Sequence, residues 1–236
     1  MKKIMWFFGA VSVIGTLFMM KYLPDTVPMH FDSQWKVDRW GSKYELFLLP
    51  VIMLVGCLLF TVMLGFMNKR SQDPSEGRES VATKVNAKSL ARLGAAMMAF
   101  FTVMQGGILY MCYKSGPDTV TAPFDLGRLL CIMMGLLFIV MGNITSKTKE
   151  NGLIGIRTSF TRYNEVTWRK SNFFGGIALM IAGALSVVIG LIIKDSIISM
   201  SVAVGLLILA TAISLIYAYK IYLSEKKSGK SDLGTD

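Results

Sequence analysis

The sequence predicts an all-α integral membrane protein, a bundle of six transmembrane helices with both termini in the cytoplasm. The chain of 236 residues is 53% hydrophobic and only 17% charged, whereas about a quarter of the residues in a soluble domain are charged. It also contains six apolar runs, each close to the roughly 20 residues that a helix needs to cross a bilayer. These two observations exclude a disordered chain, a disulfide scaffold and a soluble enzyme of ordinary composition.

The six apolar runs are separated by polar segments of very different lengths. They cover residues 4–20, about 45–67, about 90–113, about 124–144, 173–193 and 197 to about 222. The first run follows Lys2 and Lys3 as in a signal peptide, but no cleavage-type sequence comes after it, so a retained helix is predicted. The last two runs are joined only by Lys194 and Asp195 and are predicted to form a hairpin.

The polar segments divide the chain into the predicted domains. Residues 1–67 form an N-terminal helix pair with an extracellular loop at 21–44, and residues 90–223 form a four-helix region with a cytoplasmic loop at 142–172. The polar segments 68–89 and 224–236 are predicted to be flexible.

The distribution of positive charge predicts the orientation. Most of the 25 Lys and Arg residues fall at the N-terminus, in the second and fourth loops and in the C-terminal tail. Because cytoplasmic loops carry an excess of Lys and Arg, this places both termini in the cytoplasm. The net charge of +10 is then explained by attraction to an anionic leaflet, and no direct nucleic-acid binding is predicted.

Small and polar residues inside the spans are predicted to pack helices together. The fifth run carries a small residue at every fourth position, namely Ala178, Ala182, Ser186 and Gly190, and such stripes allow helix backbones to approach closely. Gln105 is predicted to make an interhelical hydrogen bond. The three cysteines, Cys57, Cys112 and Cys131, are predicted to be hydrophobic packing residues.

The first loop is predicted to be an ordered extracellular segment. Pro24 and Pro28 fix φ and disfavour helix at the residues before them, so the chain leaves the membrane extended. His30, Asp32 and Asp38 could supply metal ligands, but one imidazole and two carboxylates are more typical of a hydrogen-bonded loop, and neither a metal nor any other cofactor is predicted. The nearby Trp35 and Trp40 suit the headgroup level.

The fourth loop mixes apolar and basic residues. It is too apolar for a solvated tether and is predicted to pack against the inner face of the bundle, with Thr161 or Asn164 starting a short helix through Trp168. Two interpretations of its basic charge remain open. One is a juxtamembrane loop held by anionic lipid, and the other is a docking surface for a soluble partner, with Arg157 and Trp168 as anchors.

The fourth loop resembles the SdpI family, and the first loop resembles the domain of unknown function that often precedes it. The fourth-loop motif residues, which are the candidate cytoplasmic partner-binding residues, are Asn143, Lys147, Lys149, Asn151, Arg157, Thr158, Glu165 and Trp168, together with Gly142, Gly155 and Ile156. The first-loop motif provides the candidate extracellular ligand-binding residues, which are Pro24, Pro28, His30, Phe31, Asp38 and Lys43. The chain departs from the family pattern at Trp35, Ser146, Ser159 and Asn172–Phe173.

This resemblance implies a plasma-membrane immunity protein with six helices. The family's best-known member protects its host from a secreted membrane-active peptide toxin and draws a transcriptional autorepressor to the membrane when the toxin is bound. The implied partners are therefore the lipid bilayer, an extracellular peptide toxin and a cytosolic repressor.

Two other functions are open at this stage. A small transporter or lipid-handling protein would need a polar path, for which Gln105, Thr211 and Ser214 are the in-membrane candidates. A surface enzyme using His30, Asp32 and Asp38 ranks last, because a single histidine without a nucleophile or phosphate-binding motif gives no catalytic constellation.

Overall fold

The computed structural model describes residues 1–32, 35–70, 77–116, 119–151 and 153–231. Within them the elements are α1 (Lys2–Met19), β1 (Thr26–Phe31), β2 (Val37–Ser42), a 3-10 turn (Lys43–Phe47), α2 (Leu48–Arg70), α3 (Gly77–Lys114), α4 (Leu126–Thr145), α5 (Glu165–Ile192) and α6 (Ser196–Ser231). All six helices are long and apolar enough to cross a membrane. The predicted six-helix membrane fold is therefore confirmed.

The outer surface of the bundle is apolar. Large side chains such as Phe66 (72% exposed) and Ile208 (64% exposed) point away from the other helices. A surface of this kind suits lipid, which offers no hydrophobic drive for helices to pair. An even number of crossings puts both termini at one end of the bundle, the terminal end, and the β1–β2 hairpin at the other, the hairpin end.

The helices form two groups of three. The helices α1, α2 and α3 contact one another, as do α4, α5 and α6, and the contact between α3 and α4 joins the groups. Buried residues of the first group include Met5, Met53, Cys57 and Met98. The third span, predicted as part of a four-helix C-terminal region, therefore packs mainly on the N-terminal helix pair.

The closest helix contact is between α4 and α5, at two glycine pairs. A Cβ on Gly183 would lie 2.5 Å from the carbonyl oxygen of Gly135, and one on Gly135 would lie 2.6 Å from that of Gly183. Gly142 and Gly176 form the second pair in the same way. Of the predicted stripe, Ala182, Ser186 and Gly190 are buried, but the tightest contacts use Gly176 and Gly183, which that stripe does not include.

Two segments predicted as flexible are largely helical. Within residues 68–89, α2 continues to Arg70 and α3 begins at Gly77, while residues 71–76 lie outside the described residues. The helix is stabilised there because Ala87 and the following Leu90 belong to the buried core. In the tail 224–236, α6 continues to Ser231, and residues 232–236 lie outside the described residues.

The fourth loop is shorter than predicted. Helix α4 ends at Thr145, and α5 begins at Glu165 and continues without a break into the fifth span. The predicted short helix is therefore the first part of α5. Asn164 starts it, as predicted, because its side chain accepts a hydrogen bond from the Thr167 N–H while the Thr167 hydroxyl accepts one from the Asn164 N–H.

Candidate functional site

The charged side chains of the hairpin contact one another or charged residues of the adjoining segments. Strands β1 and β2 are antiparallel, with irregular register on both sides of His30. The His30 Nδ1 lies 2.7 Å from Asp38 Oδ1, the Arg39 guanidinium lies 2.6 Å from Glu45, and Lys43 Nζ lies 2.9 Å from Asp25. The described residues contain no group of three or more His, Cys, Asp or Glu side chains that could hold a metal ion.

Apolar contacts fix the hairpin to the first helix group. Val27 and Pro28 are buried, and Val27 packs in a cluster with Leu23, Leu46, Leu109 and Cys112. Because these residues come from β1, the 3-10 turn and α3, the hairpin lies on the helices rather than standing free in solvent.

The α3–α4 connection and Trp35 attach the hairpin to the second group. The Val37 N–H donates to the Val120 carbonyl at 3.0 Å, and the Ala122 N–H donates to the Trp35 carbonyl at 2.9 Å. Trp35 has a φ of 59°, and its indole covers Gly127 of α4, where a Cβ would lie 2.5 Å from the ring. The Trp35 ring therefore packs on the start of α4.

A cavity of about 320 Å³ lies beneath the hairpin. Its lining is mostly apolar and comes from β1, the 3-10 turn, α2, α3 and α4. The lining includes Pro28, Phe31, Glu45, Gln105 and Ile108. Gln105, which is 2% exposed, contributes an amide and Glu45 a carboxylate, so the cavity combines a mostly apolar wall with two strongly polar side chains.

The candidate outer residues divide between this cavity and the exposed face. Pro28 and Phe31 line the cavity. His30 and Asp38 form their hydrogen bond on the exposed face of the hairpin. Lys43 has a largely covered side chain and donates to the Leu23 carbonyl, next to Pro24, at 3.4 Å.

Asn151 organises the first turn of the inner loop, which is defined as residues 146–164. Its Oδ1 accepts from the Leu153 and Ile154 N–H groups, both at 2.7 Å. Its Nδ2 donates to the carbonyls of Lys149 at 2.7 Å and Ile154 at 3.0 Å. The side chain thus satisfies four backbone groups that a loop would otherwise leave to water.

A threonine cluster organises the second part of the inner loop. The fully buried Thr161 accepts from the Thr158 N–H at 2.9 Å, and Thr158 Oγ1 accepts from the Thr161 N–H at 3.2 Å. Thr167 Oγ1 lies 3.1 Å from the Thr161 carbonyl. These bonds hold the loop against the start of α5.

Trp168 and Asn172 lock the middle of the loop onto α5. Trp168 is 2% exposed, and its Nε1 donates to the Thr148 carbonyl at 3.0 Å. Asn172 Oδ1 accepts from the Ile156 N–H at 2.6 Å. Between them Gly155 has a φ of +112°, and a Cβ there would lie 2.5 Å from Asn172 Oδ1. Any residue with a Cβ is therefore disfavoured at Gly155 for two reasons: its positive φ, and the lack of space beside Asn172.

The remaining candidate inner residues are exposed and lie on the inner loop or on the adjoining ends of α4 and α5. These are Asn143, Lys147, Lys149, Arg157 and Glu165. Lys147 Nζ lies 2.6 Å from Asn143 Oδ1. The loop also contacts the helical extension of α6 through the Tyr163–Tyr222 ring pair at 5.1 Å. The first turns of α5 contact the same extension through the Lys170–Glu225 ion pair at 3.6 Å.

A second cavity of about 320 Å³ lies under the inner loop, between α4, α5 and α6. Thr211 and Ser214 line it, and each hydroxyl donates to its own helix, to the carbonyls of Leu207 and Ala210. Since these hydroxyls are committed to the backbone, they give little support to a polar transport path.

Sequence reasoning missed the role of Asn172 and the cavities, and it named Gly155 only as a motif residue. Asn172 drew attention only as a departure from the family pattern, although a buried amide one turn after Trp168 is a possible loop anchor. The cavities involve residues from four or more segments, so no local pattern could have revealed them.

Comparison with known proteins identifies the chain's relatives. Residues 147–218 match the SdpI/YfhL protein family, and residues 7–54 match the Domain of unknown function (DUF1648). The chain is 21% identical over 212 residues to the Immunity protein SdpI of Bacillus subtilis (strain 168), covering 90% of this chain and 91% of that protein. No solved structure matches the chain. The predicted resemblance to the SdpI family is confirmed, and the chain is a multi-pass protein of the cell membrane.

Proposed function

We propose that this chain is a non-enzymatic immunity protein that protects its own membrane from a secreted, membrane-active peptide, which it binds at the hairpin end. The similarity to an immunity protein over nine-tenths of the chain supports the class of function. The observation that carries the proposed site is the cavity beneath the hairpin, with Gln105 and Glu45 in a mostly apolar lining.

The hydrogen bonds of Gln105 fix the orientation of its amide. Thr16 Oγ1 uses its proton on the Ser12 carbonyl, and the Leu46 carbonyl can only accept. Both groups therefore need a donor, so the atom 2.9 Å from Thr16 and 3.0 Å from Leu46 is Nε2. Among the described residues no hydrogen bond reaches Oε1.

The polar atoms in this mostly apolar cavity favour a particular kind of ligand. Gln105 Oε1 and the Glu45 carboxylate are hydrogen-bond acceptors, so they favour a ligand that brings a hydrogen-bond donor. Phospholipid ester oxygens are acceptors, and acyl chains are neither donors nor acceptors. An apolar peptide segment with a free backbone N–H supplies both the donor and the apolar surface.

The ligand site is tested by a matched pair of cavity-filling variants in the host lacking the gene. Wild type is expected to raise the inhibitory concentration of one peptide in a panel of secreted membrane-active peptides. Ile108→Phe, which fills the hairpin cavity, is expected to lower that protection about tenfold. This corresponds to a loss of about 1.4 kcal/mol of peptide-binding free energy. Gln105→Leu should act in the same direction.

The control is Leu179→Phe, which adds the same bulk to the cavity of equal volume under the inner loop. It should protect as well as wild type. If wild type protects against no peptide in the panel, the immunity function is wrong. If both phenylalanine variants protect fully while the wild type does too, the peptide binds elsewhere.

The proposed inner site is the exposed side of the inner loop, which would bind a cytosolic repressor. Asn143, Lys147, Lys149, Arg157 and Glu165 are proposed to contact the partner. The buried Trp168, with Asn151 and Thr158, is proposed to act by holding the loop's shape.

A photocrosslinker at Tyr163, which is exposed, should capture a cytosolic protein, and should capture a different amount after peptide addition. Capture of none in both states contradicts this half of the proposal.

The proposed orientation, with the terminal end in the cytosol, has its own test. Ser159 of the inner loop and Asp25 before the hairpin are both exposed, whereas the three native cysteines are buried. In a chain with those cysteines replaced by alanine, Asp25→Cys should react with an impermeant thiol reagent in intact cells. Ser159→Cys should react only after the cells are opened. The reverse pattern would invert the topology.

A further inference from the structure

A cleft at the terminal end, between α1, α2 and α3, gathers positive charge that the proposed function does not use. It has a volume of about 710 Å³. The cationic side chains that line it are Lys2, Lys3, Lys84, Lys88 and Arg92. None of the described side chains in the lining is acidic. The same cleft is lined by the buried, apolar Leu64, Ala87 and Ala91, so it offers both charge and apolar surface.

The arrangement of these cations is unfavourable without an anion. Lys84, Lys88 and Arg92 follow one another at four-residue intervals on α3, a spacing that puts like charges next to one another on one helix face, where they repel. Lys2 and Lys3 add two more positive charges at the start of α1, whose first turn also carries the positive end of the helix dipole. An anion in the cleft would relieve this repulsion from both helices at once.

We infer that this cleft binds the phosphate group of an anionic phospholipid, with an acyl chain lying against Leu64, Ala87 and Ala91. Basic pockets between transmembrane helices are suited to anionic headgroups. A lipid fits better than a free anion because a free anion would leave the apolar part of the cleft facing water, which costs free energy in proportion to the exposed area. The inference does not depend on the proposed immunity function.

The test measures which lipid the full-length chain retains. The protein is placed in nanodiscs of equal parts phosphatidylglycerol and phosphatidylcholine, released, and analysed by native mass spectrometry. Wild type is expected to retain phosphatidylglycerol preferentially. The triple variant Lys84→Gln, Lys88→Gln, Arg92→Gln should bind it about a hundredfold more weakly, since each cation near an anionic lipid contributes about a factor of five.

The matched control removes three exposed cations from the end of α6, which lies at the same end of the bundle. Lys220→Gln, Lys226→Gln, Lys227→Gln should retain phosphatidylglycerol as wild type does. Equal loss in the two triple variants would indicate general charge attraction and overturn the site. Retention of phosphatidylcholine to the same degree would also overturn it.

A phosphate-displacement measurement and a second variant complete the test. Displacement of phosphatidylglycerol by an excess of inorganic phosphate would identify a free-anion site and overturn the lipid assignment. If the α3 triple variant does not fold, as judged by its helical circular dichroism, Lys2→Gln, Lys3→Gln on α1 replaces it. That double variant should weaken phosphatidylglycerol binding about twenty-five-fold by the same reasoning, and wild-type retention would overturn the inference.

Discussion

Gly183→Ala is expected to lower the unfolding free energy by about 2 kcal/mol, within the range for adding a methylene to a well-packed core. The new methyl group would lie 2.5 Å from the Gly135 carbonyl oxygen and 2.9 Å from the Ile139 nitrogen. Both are backbone atoms, so no side chain can rotate away, and α4 and α5 must separate. Helix pairs in lipid depend on this close packing because no hydrophobic drive compensates for its loss.

Gly205→Ala on α6 is the control for this prediction. A Cβ at Gly205 meets nothing within 4 Å, and alanine is a better helix former than glycine by about 1 kcal/mol. Unfolding in mixed detergent micelles, followed by circular dichroism, should show Gly205→Ala at or above wild-type stability. Equal stability of Gly183→Ala and wild type would mean that the two helices are not packed as tightly as the glycine pairs indicate.

Trp168→Ala is expected to cost about 3–5 kcal/mol of stability, as truncation of a buried tryptophan generally does. The variant would lose the packing of the ring beside Gly155 and the hydrogen bond to the Thr148 carbonyl. The inner loop should become accessible as a result, which limited proteolysis after Arg157 or Arg162 would detect as faster cleavage.

Two variants separate packing from surface effects in this experiment. Trp168→Phe keeps most of the ring volume but not the hydrogen bond and should lose only about 1 kcal/mol. Trp40→Ala removes a tryptophan that is 37% exposed on the hairpin and should leave proteolysis of the inner loop unchanged. Slow, wild-type cleavage in Trp168→Ala would show that the ring does not hold the loop.

The spans were predictable because lipid imposes a strong and local constraint. About twenty apolar residues in succession have few alternatives to a membrane helix, and all six runs became helices that could cross a bilayer. The ends of these helices were less predictable. The sequence around Thr83 to Ser89 is polar and contains neither Gly nor Pro to end a helix. Only contacts with the buried core, through Ala87 and Leu90, reveal why α3 begins so early.

In the candidate site, too, the features set by a local pattern were predictable and those set by distant contacts were not. Asn164 was identified as one of two possible helix starts because a cap is a local pattern. The stripe of small residues on the fifth span was identified because its period lies within one helix, but it did not include Gly176 and Gly183. The partner of each glycine on α4 was not predictable, since it depends on how two helices align. Gln105 was identified as an interhelical amide, but its partners Thr16 and Leu46 are distant in sequence and were not predictable.

The attachment of the hairpin to both groups of helices has a mechanical consequence. Its backbone bonds to Val120 and Ala122 tie it to the α3–α4 crossover, while Val27 ties it to α3. The hairpin thus crosslinks the two groups of helices, and the groups cannot separate at that end unless these contacts break. A ligand bound beneath the hairpin would act directly on the interface between the two groups.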